Sequence, residues 1–149
     1  MSTPTEQQRF IWSDAWILLS VIYATQRASP ATLTDIIAAA DYINHAILTR
    51  GELETGFAHL VDGGYVTCEG HGFSITEAVK SFWSATGSHE RTASGARGAV
   101  AKFIGAPPWT PGPLPEASTV HYVSEADYAA AVRQYLESMR QPAKKRGRK

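Results

Sequence analysis

The stretch TRGELETGFAHLVDGG, Thr49 to Gly64, decides the fold. Thr49 is an N-cap residue type, and Glu52 three residues on can reach back to its amide, so the two form a capping box. Leu48, just before the cap, is placed to staple onto Leu53. Leu53, Phe57, Leu60 and Val61 follow at helical spacing, which gathers them on one face turned to a core. Gly63 and Gly64 then supply the left-handed stop that helix ends favour. Upstream, Thr32 to Asn44 reads as a helix joined to this one by a short polar turn. Downstream, Tyr65 to Cys68 and Phe73 to Ile75 flank a glycine-rich connection, Glu69-Gly70-His71-Gly72, and Phe73 alternates with Ile75 as in a half-buried hairpin.

Working outward, Asp14 to Gln26 has Ser13 as a cap, with Trp12 before it and Ile17 inside as a staple pair. Ala15, Leu18, Leu19, Ile22 and Tyr23 form a wide apolar stripe on that helix. Thr76 opens a further helix with Val79, Phe82 and Trp83 on one side. A supporting helix, a helix pair, a hairpin and another helix, in that order over residues 12 to 84, resemble the winged helix-turn-helix superfamily. The resemblance implies a mostly α chain with a small β-hairpin wing, α+β in class, carrying a C-terminal helical extension. It also implies a transcription-regulator-like protein that binds double-stranded DNA by laying the second helix of the pair in the major groove.

The charge runs against part of that implication. The 149 residues balance to zero net charge. Through Ser88, however, Arg9, Arg27, Arg50 and Lys80 face nine acids, a net of −5, while from His89 onward ten Lys and Arg face five acids, a net of +5. A polyanion would sit on the second half, and the helix pair lies in the first. At about 100° per residue, the face of the Thr49 helix opposite its apolar stripe gathers Gly51, Glu52, Thr55, Ala58, His59 and Asp62. Base readout relies chiefly on Arg, Lys, Asn and Gln, none of which is there. Thr55 and His59 are the remaining candidates for base contact, and Arg50 in the first turn is a candidate for phosphate.

The second half opens with a short basic helix, His89 to Ile104, bearing Arg91, Arg97 and Lys102 around the apolar residues Ala96, Val100, Phe103 and Ile104, and stopped by Gly105. Five prolines between Pro107 and Pro115 then forbid a helix and predict an extended connector, in which Trp109 either anchors the strap to the domain or is read by a partner. Ser124 caps a last helix, with Glu125 and Asp127 in its first turn and Val123 placed to staple onto Tyr128. Its stripe, Tyr128, Val132, Tyr135, Leu136 and Met139, must dock in cis or on a second copy, which would make a homodimer. The chain ends in Lys144, Lys145, Arg146, Gly147, Arg148 and Lys149, a disordered basic tail that attracts phosphate regardless of sequence. Arg146-Gly147-Arg148 resembles the centre of an AT-hook without its flanking prolines. The expected organisation is a winged-helix domain with its following helix over 1–105, a connector over 106–123, an amphipathic helix over 124–141 and the tail over 142–149.

Enzyme signatures are missing: no phosphate-cradling glycine loop, nucleophile elbow or paired-histidine metal motif occurs, so neither catalysis nor a cofactor is expected. Cys68 and His71 make at most half a metal site, and the default for His71 is a surface residue. A single cysteine excludes an internal disulfide and suits a reducing cytoplasm. The longest apolar run, Ala15 to Ala24, is too short to span a bilayer. Two classes of function survive: a DNA-associated regulator whose affinity comes largely from its basic C-terminal segments, and a winged-helix module that serves protein interaction or dimerisation without reading DNA.

Overall fold

The computed structural model describes residues 10–107 and 120–147, with side chains through residue 140. In chain order the elements are α1 (Trp12–Arg27), α2 (Leu33–Asn44), α3 (Arg50–Asp62), β1 (Val66–Glu69), β2 (Gly72–Ile75), α4 (Glu77–Ala85), a 3-10 turn (Gly87–His89), α5 (Ala93–Ile104) and α6 (Glu125–Gly147). The protein is mostly helical with one small two-stranded antiparallel sheet, an α+β architecture.

Capping chemistry sets most of the helix starts. Thr32 accepts the Asp35 amide at 3.1 Å, and Thr49 accepts the Glu52 amide at 3.1 Å while Glu52 takes the Thr49 amide at 2.9 Å. Thr92 and Ser124 accept the amides of Gly95 and Asp127 in the same way. The first helix corrects the expectation. It begins at Trp12, so Ser13 lies inside it, and the start is closed by Asp14, whose carboxylate accepts the Ile11 amide at 2.9 Å. Ile11 has no side-chain acceptor to offer, so the Asp14 amide donates to the Ile11 carbonyl at 3.0 Å, while the Asp14 carboxylate serves the Ile11 N–H as the acid of a capping box does.

The hairpin is also tighter than expected. Val66 pairs with Ile75 and Glu69 with Gly72, which leaves Gly70 and His71 as a two-residue connection in place of four. Gly70 holds φ +61 at its first position, where type II′ hairpins require glycine. Ala31, between α1 and α2, adds one further pair to the far side of β2, exchanging both backbone hydrogen bonds with Phe73 at 2.8 and 2.9 Å.

α1 is the central element, packing against α2, α3, α5 and β2. Its residues Ala15, Ile17, Leu18, Leu19, Val21 and Ile22 are buried, along with Ile36 and Ile37 of α2, Leu53, Phe57 and Leu60 of α3, and Val100 of α5. The core face expected for α3 is therefore in place, with Val61 half-buried at its edge. α3 approaches α1 so closely at Gly56 that a Cβ there would stand 2.3 Å from Ile17 Cδ1, so any larger residue would require the buried Ile17 side chain to move. Phe57 stacks on Phe73 with ring centroids 4.2 Å apart, locking the hairpin to the helix pair.

α6 returns across α2. Tyr128 donates to the Leu48 carbonyl at 2.6 Å, Thr34 to Gln134 at 2.9 Å and Tyr135 to Asp41 at 2.5 Å, with Ala131 buried between them. The helix continues to Gly147, so the segment expected to be disordered from residue 142 begins as helix. Among the described residues, no helix is long and apolar enough to cross a membrane.

Tyr135 offers a pH test of this docking. Burial first, and then the hydrogen bond and charge of Asp41, push its phenol from 10.0 up to about 12. A raised folded value means that the contribution is whole below pH 10 and is lost as pH climbs towards 12. Tyr135→Phe removes a hydrogen bond to a charged acceptor and should cost about 1.5–3 kcal/mol near neutral pH. In denaturant melts the gap between wild type and variant should close between pH 10 and about 12. A gap independent of pH would mean that Asp41 is not the acceptor.

Candidate functional site

The face of α3 proposed to contact DNA is narrower than its sequence suggests. Glu52 belongs to the capping box and is buried, Gly56 is pressed on Ile17, and Glu54 on the flank is only 2% exposed. The covered arc runs from Glu52 through Leu53 to Glu54, about 200° of the helix circumference. What remains is a strip of Gly51, Thr55, Ala58, His59 and Asp62, of which only Asp62 is exposed and the rest are half-buried.

Three of the sequence-derived candidates serve the fold. Arg50 donates to the Val123 carbonyl at 2.7 Å and lies 3.9 Å from Glu54. His59 turns back along α3, its Nδ1 2.7 Å from Asp14 Oδ2, with Phe10 edge-on at 6.4 Å. Arg97 lies over the Trp12 ring at 4.9 Å and donates to Asn44. Each of these side chains is thus engaged in holding elements together. Thr55 is half-buried, whereas Arg91 and Lys102 are exposed on and before α5. The side chains of Lys144, Lys145 and Arg146, together with Arg148, Lys149 and Trp109, lie outside the described residues.

Glu54 has a role that sequence spacing did not reveal. Its carboxylate accepts three consecutive backbone amides, those of His121, Tyr122 and Val123, at 3.0, 3.0 and 2.9 Å. Arg50, one turn earlier, takes the carbonyl at the end of the same segment. Tyr122 packs against Phe57 at 6.4 Å and Val123 is buried. Together these contacts clamp the entry to α6 along the flank of α3. A buried carboxylate is tolerated because three donors replace its lost water.

Asp14 is the other buried acid. One oxygen takes the Ile11 amide and His59; the other, Oδ1, has no hydrogen-bond partner among the described residues and lies close to Gly56. Burial pushes this carboxyl up, against the lowering pull of the hydrogen bonds from His59 and Ile11.

At the hairpin tip, His71 is exposed, 4.0 Å from Asp127 of α6, and Cys68 points its thiol at the Gly70 carbonyl. The two residues therefore have separate neighbours. On α6, Tyr128 and Tyr135 of the apolar stripe are engaged in cis, Val132 is half-buried, and Leu136 and Met139 stand 44% and 59% exposed. No protein-family model matches the chain, and no curated protein or solved structure matches it.

Proposed function

We propose that this chain is a winged-helix-like module that works by protein association, with itself through the outer edge of α6, and that α3 does not read the major groove. The order of elements and the isolated bridge that Ala31 makes beside β2 favour the winged-helix reading. The observation that carries the function is the accessible strip of α3. Gly51, Thr55, Ala58, His59 and Asp62 include no Arg, Lys, Asn or Gln, and their one fixed charge is negative. Phosphate approach needs positive potential, and Arg50 and His59, which could have supplied it, are tied to Val123 and Asp14. Leu136 and Met139, by contrast, are large apolar side chains left open on a helix already docked along its other edge. A second copy suits them by charge as well as by shape. Arg133, Glu137 and Arg140 surround the patch, and Lys144, Lys145 and Arg146 bring α6 to five cations against three acids on a chain whose first 88 residues carry a net of −5, so the basic C-terminal end of one copy's helix complements the acidic domain of the next.

Duplex binding followed by fluorescence anisotropy at several salt concentrations tests the reading. Any affinity should be indifferent to sequence and to Thr55→Ala or Asp62→Asn, and should disappear when residues 143–149, with their five cations, are removed. Complete engagement of those five charges allows a log-salt slope no steeper than about −4.5. The exposed Arg91 and Lys102 give the basic-segment route to DNA its own support, and it would appear as affinity that survives this truncation without sequence preference. A sequence preference abolished by Thr55→Ala and sharpened by Asp62→Asn would instead make α3 a reading helix and overturn the proposal.

A further inference from the structure

A cleft of about 500 Å³ opens where the C-terminal turns of α1 meet the end of β2 and α4. Its apolar lining is Ile22, Ile75 and Trp83, and its polar lining includes Gln26, Ser29 and Ser84. Its size falls within the range of small-molecule sites, about 300–1,000 Å³. Three further observations point to the kind of molecule it takes.

The first is charge. Among the described residues, Lys80 is the only ionisable group lining the cleft, and no acid lines it. Three other clefts among the described residues are different: one pairs Lys102 with Glu90, another Arg27 with Asp35, and a third holds Asp127 beside His71. Lys80 is also one of just four cations in the first 88 residues. Its ion pair with Glu77, at 3.3 Å, joins two well-exposed side chains one helical turn apart, and such pairs exchange readily for a better partner.

The second is rigidity. Trp83 is held edge-on by Tyr23 at 5.8 Å, and it lies so close to Gly87 that a Cβ there would come within 2.3 Å of the ring. The indole wall is therefore fixed before any ligand arrives, which lowers the cost of binding a flat molecule against it. The third is hydrogen-bonding capacity. The indole N–H of Trp83, the amide of the exposed Gln26 and the hydroxyl of the exposed Ser29 all border the cleft, where they can serve a polar group beside the ring system.

We propose that this cleft binds a small planar apolar molecule bearing one carboxylate, with the ring system against Trp83, Ile22 and Ile75 and the carboxylate on Lys80. The site is independent of the α6 edge and of α3, so its fate and that of the association reading are separable.

Titration of the full chain with 2-naphthoate, followed by 1H–15N correlation spectra, tests it. The Trp83 indole resonance and the amides of Thr25, Gln26 and Ser84 should move together and saturate. The neutral isostere 2-naphthamide should bind about tenfold more weakly, as should 2-naphthoate to Lys80→Met, which keeps the apolar stem of an exposed side chain. No movement of the Trp83 indole up to the solubility limit of the probe would overturn the proposal. Equal affinity for acid and amide, or for wild type and Lys80→Met, would overturn it too, since Lys80 would then take no part.

Discussion

Phe57→Ala is expected to lower the free energy of unfolding by about 3–5 kcal/mol. Phe57 is fully buried, lies on the α3 face turned towards the core, and stacks on Phe73 with centroids 4.2 Å apart. Truncation removes that stack and opens a hole where α3 and the hairpin meet. α1 cannot close the gap, because α3 already touches it at Gly56 with no space to spare. Relaxation is therefore limited, which puts the cost in the upper part of the range for aromatic truncations. Urea melts monitored by circular dichroism would check it, and a loss below about 1 kcal/mol would mean that α3 is peripheral to the core.

Glu54→Ala should be comparably damaging, by about 3–5 kcal/mol, through a different mechanism. Three amides at 2.9–3.0 Å lose their acceptor together, and Arg50 loses the carboxylate 3.9 Å away. The donors lie on one short segment, so that segment can lift into water, taking with it the docking of Val123, Tyr128 and Tyr135. The damage should then be local. Hydrogen exchange at the amides of Tyr122 and Val123 should accelerate far more than exchange in α1. Glu54→Gln should fall between the two, since one oxygen keeps the bonds from Tyr122 and Val123 while its amide group opposes the His121 N–H. Unchanged protection of Tyr122 and Val123 in Glu54→Ala would show that the clamp does not hold α6 in place.

What could be read in advance was local. Thr32 with Asp35, Thr49 with Glu52, and Ser124 with Asp127 are contacts three residues apart, and spacing alone exposes them. The core face of α3 was equally legible, because Leu53, Phe57 and Leu60 share one side of a helix whatever they pack on. The rest depended on partners distant in the chain. Glu54 meets amides 67–69 residues away, and His59 meets Asp14 at a separation of 45. Helical periodicity shows that Glu54 lies on a flank and His59 away from the core, but not what returns to cover them. The α6 stripe shows the same limit. Its spacing joins Tyr128 to Met139 in one run, yet Tyr128 and Tyr135 find acceptors at Leu48 and Asp41 while Leu136 and Met139 stand exposed. At the start of α1, Ser13 has the better capping chemistry, yet Asp14 closes the helix on Ile11 because its carboxylate reaches the free amide from inside the first turn.

The central claim, that the chain associates with itself through the outer edge of α6, is tested most directly by sedimentation equilibrium of the full chain from micromolar to submillimolar concentration. The wild type should fit a monomer–dimer equilibrium that weakens as salt is added. Leu136→Glu, at a position 44% exposed, should sediment as a monomer with unchanged helix content. A wild-type chain that remains monomeric across the whole range, or a dimer that Leu136→Glu leaves intact, would contradict the account.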